Sequence, residues 1–160
     1  MIINDPEVIA ELAELYPRYE TALVTNDVDT LVSMFWNGAQ VMRFGASENL
    51  YGPAELEAFR KGRPAANLTR TIKRLDIVSF GRDFASITLE FERNTGNGIV
   101  RGRQSQTWVR MPKGWRIVAA HVSLLPTVDE DTRRGESRRQ RNRQLLHRCC
   151  LKSLIQSGRR

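Results

Sequence analysis

Cysteine is confined to one adjacent pair, Cys149 and Cys150, and histidine to His121 and His147. Neighbouring thiols in an otherwise cysteine-free chain cannot staple a fold, and no histidine–cysteine spacing suits a zinc site. No apolar run approaches the roughly eighteen residues that a membrane span requires, so none is predicted. Asp5, Glu7, Glu11 and Glu14 occupy the segment where a secretory leader would be basic and then apolar, so a cytoplasmic location is expected.

A charge of one sign is also lacking over most of the chain. The net charge is +7 across 160 residues, yet residues 1–125 carry 15 basic and 14 acidic side chains and residues 126–160 carry 10 and 4. The basicity belongs to the tail, which has no aromatics interleaved among its cations. A nucleic-acid partner is therefore not favoured. Two regions are expected: a folded domain over 1–126, and a basic tail over 127–160 that is flexible or partly helical.

Val8, Leu12, Leu15, Tyr19, Ala22 and Leu23 recur at three- and four-residue steps and predict an amphipathic helix from Pro6 to Thr25. Asn4 or Asp5 can cap it, and Pro6 suits a first turn. Asp27 to Phe35 reads as a short second helix and Gln40 to Phe44 as a strand. A polar loop follows to Tyr51, then a third helix opened by Gly52-Pro53. After Pro64 the pattern becomes extended: Thr69 to Ser79, Phe84 to Arg93, Gly102 to Met111 and Gly114 to Leu125, with turn residues between. Helices first and antiparallel strands afterwards predict an α+β fold with helices on one face of a curved sheet.

The last two strands form a hairpin across Pro112-Lys113. Strict alternation puts Trp115, Ile117, Ala119, His121 and Ser123 on one face. With Arg110 opposite Trp115, Trp108 falls opposite Ile117 and Gln104 opposite His121. Gln104, Gln106, His121 and Ser123 would then share the polar end of one wall, which suits a small-molecule pocket.

Three separated stretches, FWNGAQVMRFGASENLYG (Phe35 to Gly52), GRQSQTWVR (Gly102 to Arg110) and GWRIVAAHVSLL (from Gly114), resemble the nuclear-transport-factor-2-like (NTF2-like), or SnoaL-like, superfamily. Within it they are most similar to the AtzH-like family, which includes HpxZ-like proteins of oxalurate catabolism. The resemblance implies a cystatin-like cone, a strongly bent sheet closed by the first helix, and a homodimer through the outer sheet face. Val109, Val118, Ala120 and Val122 would lie on that face. It further implies a hydrolase of nitrogen metabolism, a decarboxylating amidohydrolase acting on a small carboxylated urea. The alternative is a non-catalytic ligand-binding or accessory module.

The family's pocket tyrosine and arginine match Tyr19 and Arg43, expected to be catalytic. Tyr51, Arg63, Gln104, Gln106, His121 and Ser123 are expected to bind the anionic carboxylate substrate. Arg60 is expected to serve the C-terminus of its helix. No nucleophile–base–orienter set is legible: Ser123 and His121 project in parallel from one strand, and Glu48, Glu90 and Glu92 have no signature spacing. Chemistry without metal or cofactor is expected, by electrostatic capture of an anion.

Overall fold

A computed structural model describes residues 1–66 and 68–126, so the expectations for the tail lie outside the described residues. Three helices, α1 (Pro6–Thr25), α2 (Val28–Met34) and α3 (Gly52–Gly62), accompany six strands. These are β1 (Met42–Phe44), β2 (Asn49–Tyr51), β3 (Thr71–Phe80), β4 (Phe84–Thr95), β5 (Gly98–Met111) and β6 (Gly114–Leu124). They form one mixed sheet in the order β2-β1-β6-β5-β4-β3, with β1 parallel to β6 and all other pairs antiparallel. No described helix is long and apolar enough to cross a membrane.

Helix α1 begins where expected because Asp5 accepts a hydrogen bond from the Glu7 amide at 3.0 Å. The same residue anchors the helix to the sheet, since its own amide donates to Ser79 Oγ at 3.0 Å. The buried stripe of α1 is Val8, Leu12, Tyr16, Tyr19, Ala22 and Leu23, so Tyr16 takes the interior place that the spacing assigned to Leu15. Asn26 ends the helix in the left-handed region, a conformation that asparagine tolerates better than most residues. Asp27 then caps α2 through the Thr30 amide at 3.1 Å. The stretch read as a polar loop contains a strand: β2 pairs Leu50 with Arg43 and Tyr51 with Met42.

The inward face of the sheet is lined by Ala85, Ile87, Leu89 and Phe91 of β4 and by Gly102, Gln104, Gln106 and Trp108 of β5. Trp108 is wholly buried at the centre of the core. The hairpin departs from strict alternation. Trp108 does face Ile117, but Thr107 faces Ala119, so Val118 is an extra residue on β6. Such a bulge re-aims every side chain beyond it. Gln106 is therefore opposite Ala120 and Gln104 opposite Val122, whereas Ser105 is opposite His121. The shared wall expected for Gln104, Gln106, His121 and Ser123 does not exist: the glutamines point inward, and His121 and Ser123 point to the outer face. Ala120 is buried and Val122 packs against the core, which also corrects their assignment to the outer face.

Gly102 marks the tightest approach inside the sheet, because a Cβ there would lie 2.2 Å from the Phe91 ring, its partner on β4. Gly102→Ala should cost about 1–3 kcal/mol through overpacking, measured as a lower midpoint in chemical denaturation at unchanged slope.

Candidate functional site

Across the inward face, Arg43 on β1, Ala120 on β6, Gln106 on β5 and Ile87 on β4 stand in one row. The backbones of β1 and β5 are about 10 Å apart, two strand spacings, with only the methyl of Ala120 between two long polar side chains. Tyr19 descends from α1 beside this row, its ring edge-on to Trp108 at 6.5 Å and 5.8 Å from Tyr16. From α3, Phe59 covers the Arg43 guanidinium at 5.1 Å. Arg60 enters from the same helix, and its side chain is among the largest that are fully buried.

Hydrogen bonding here is lopsided. Seven buried side-chain atoms among the described residues have no partner: all three nitrogens of Arg60, Nε of Arg63 and of Arg93, and Nε2 of Gln104 and of Gln106. Every one is a nitrogen. The glutamine orientations follow from chemistry. Trp108 Nε1 can only donate, so its 3.1 Å bond takes the Gln106 oxygen; Arg70 can only donate, so its 3.0 Å bond takes the Gln104 oxygen. In each amide the NH2 is left free.

The carboxylates present are already engaged. Glu20 grips Arg70 through two bonds of 2.8 and 2.7 Å and accepts the Tyr16 hydroxyl at 3.4 Å. Glu48 pairs with Arg43. Its side chain folds over Gly45, where a Cβ would collide with the carboxylate. Burial works to raise the Glu48 carboxyl, but the hydrogen bond and charge of Arg43 prevail and hold it below its ordinary value. Five guanidinium groups (Arg43, Arg60, Arg63, Arg70, Arg93) thus meet two carboxylates. Burial, and then the nearby Arg43 charge, pull Arg60 below the usual guanidinium range; the Tyr19 phenol beside it, outside hydrogen-bonding geometry, works the other way. Burial with the Arg60 and Arg43 charges lowers Arg63 to about 10.

The expected site residues thus separate into three groups. Tyr19, Arg43, Gln104 and Gln106 are interior and on one side of the sheet. Arg63 lies at the margin, where Nη2 donates to Leu23 O at 3.2 Å and to Asn26 Oδ1 at 3.0 Å, capping the end of α1. Tyr51 is 56% exposed and meets Phe44 edge to face, and Phe44 in turn meets His121, all on the outer face. There His121 and Ser123 line a shallow cavity of 410 Å³ with Arg74, Asp76, Glu90 and Arg103. A larger groove of 600 Å³ runs between α2, α3 and the β5–β6 turn and includes Arg60, but not Tyr19 or Arg43.

The structure places the two arginines at the end of α3, Arg60 within it and Arg63 just beyond, the other way round from the sequence reading. Arg60, assigned to the helix terminus, is the buried and unpartnered one, while Arg63 caps a helix. The available signal was spacing: Arg60 follows Leu56 by four residues and so shares its buried face.

The AtzH-like family model matches residues 1–128. The chain belongs to the AtzH-like family. It is 47% identical to a structurally determined protein of unknown function from Pectobacterium atrosepticum, with a TM-score of 0.74, covering 78% of this chain and 95% of that one. It is 36% identical to a cystatin-like fold protein from Burkholderia xenovorans, again at TM-score 0.74, covering 79% and 98%. More distant is a putative ketosteroid isomerase from Parabacteroides distasonis, at 20% identity and TM-score 0.57 over 78% and 91%, which shows the fold alone. Among curated proteins none matches. The fold of this AtzH-like chain is therefore NTF2-like, or cystatin-like, and a fold alone does not fix an activity.

Glu20→Gln should leave Arg70 charged and half-partnered beneath α1. A loss of about 3 kcal/mol or more is expected by urea denaturation, with Tyr16→Phe costing much less.

Proposed function

We propose that the interior cluster binds a small anionic substrate and that the protein is a decarboxylating amidohydrolase of linear carboxylated ureas or ureides. The observation that supports this reading is the buried surplus of unpartnered guanidinium and amide donors around Tyr19. Uncompensated buried charge is costly, and an anion with several oxygens relieves it.

In this reading Arg43 exchanges Glu48 for a carboxylate or carbonyl oxygen of the substrate. Tyr19 donates a proton to the nitrogen of the scissile C–N bond. That bond breaks with its electron pair going to nitrogen, carbon dioxide leaves, and water returns the proton to Tyr19. The wall of Trp108, Tyr16 and Phe59 limits water around the developing charges, where fixed donors act more strongly than in bulk.

A second reading, a ligand-binding or accessory module of an amidase pathway, draws on a specific observation. Both carboxylates at the cluster are held by arginines and His121 faces away, so among the described residues no free base touches Tyr19. In either reading a second copy is the proposed partner of the outer sheet face, where Met42, Phe44, Tyr51, Val109 and Val118 present apolar surface, and the proposed location is the cytoplasm.

Purified protein incubated with a carboxylated urea should release carbon dioxide. Arg43→Ala should lower kcat/KM by about 100-fold or more with its circular dichroism spectrum unchanged. Equal turnover by that variant would sink the assignment, whereas a wild-type protein that binds the compound, does not turn it over and co-purifies with an amidase would select the second reading.

A further inference from the structure

The unpaired donors carry information about what the ligand does not need. A urea presents N–H groups as well as oxygens, and a site that reads N–H must offer acceptors. At this cluster each carboxylate and glutamine oxygen that takes a hydrogen bond or ion pair already holds a donor: both Glu20 oxygens hold Arg70, Glu48 holds Arg43 until the ligand displaces it, and the two glutamine oxygens hold Trp108 and Arg70. The unsatisfied buried side-chain atoms among the described residues are nitrogens only. The row geometry adds a second constraint. Arg43 stands at one end and Gln106 at the other, with Ala120 as the floor between them, while Arg60 and Tyr19 close from the helices.

We infer that Arg60, Gln104 and Gln106 are binding residues that hold oxygens of the ligand, so that the site accepts carbon-chain dicarboxylates as well as carboxylated ureas. The inference rests on the cluster being the ligand site, as proposed above, and adds both a substrate class and three named readers. Replacing each N–H of a dicarboxylated urea by CH2 gives 3-oxoglutarate, which keeps both carboxylates and the central carbonyl. The isostere presents the same carboxylate and carbonyl oxygens to the cluster's donors. Glutarate keeps the two carboxylates and drops the carbonyl, and acetoacetate keeps only one carboxylate.

Arg60 separates a binding role from a structural one. A buried guanidinium with three unpaired nitrogens does not help the empty fold, so its removal should not destabilise the ligand-free protein. Removing a ligand-binding charge should weaken binding sharply.

The test is isothermal titration of the full chain with 3-oxoglutarate, glutarate, acetoacetate and neutral biuret, beside a carboxylated urea. Wild-type protein should bind 3-oxoglutarate within about tenfold of the carboxylated urea, acetoacetate at least about tenfold more weakly, and biuret not at all. Arg60→Met should weaken 3-oxoglutarate by at least about tenfold with a ligand-free Tm equal to or above wild type. If that variant also loses Tm, Gln106→Leu decides: an affinity loss of at least threefold supports the inference and unchanged affinity overturns it. Turnover of a carboxylated urea with no binding of 3-oxoglutarate would overturn the inference and leave the proposed activity standing. Binding of 3-oxoglutarate without turnover of any carboxylated urea would do the reverse.

Discussion

One extra residue in β6 decides which chemistry faces the interior. Before Val118, β5 and β6 pair in the register that the tight turn imposes, with Arg110 against Trp115 and Trp108 against Ile117. After it every side chain is turned over, so Ala120 and Val122 lie under the helices and His121 and Ser123 leave them. Strand β1 joins the sheet beyond this point, pairing Arg43 with Ala120. Arg43 thus reaches the same side as Gln106 and Tyr19 because of the bulge. With unbroken alternation Ala119 would stand against Gln106 and His121 against Gln104, and Arg43, paired with Ala120, would face the other side of the sheet.

The helices hold the cluster through buried polar bonds as well as packing. Glu20 on α1 grips Arg70 just before β3, and Arg70 reaches on to Gln104 of β5, so three distant parts of the chain meet at one guanidinium that also lies 4.7 Å over the Phe91 ring. Ion pairing outweighs burial for that arginine and raises its affinity for the proton, in contrast to unpaired Arg60, where burial prevails. Satisfied and unsatisfied arginines thus coexist on one face of the sheet. The first serve the fold, and the second leave binding capacity in it.

Much of this was legible before any coordinates. The helical stripe of α1, the Asp5 and Asp27 caps, the order of elements and the interior positions of Tyr19, Arg43, Gln104 and Gln106 follow from periodicity, cap chemistry and family motifs. What stayed hidden shares one cause. A bulge carries no composition signal in VAAHVS, since small and β-branched residues suit either face. The partners of Arg63 depend on where the end of α1 lands, 37 to 40 residues away in the chain. Likewise, β2 is a three-residue strand whose register only its neighbour reveals.

The pairing of Arg43 with Glu48 spans only five residues of a loop that doubles back through the Gly45 amide and the Glu48 carbonyl at 2.7 Å. Closing so short a segment costs little chain entropy, and opening it disturbs no strand beyond β1 and β2. Whether the Arg43 guanidinium faces the interior ion-paired or free therefore depends on this short loop and not on the cooperative unfolding of the sheet on which the arginine stands.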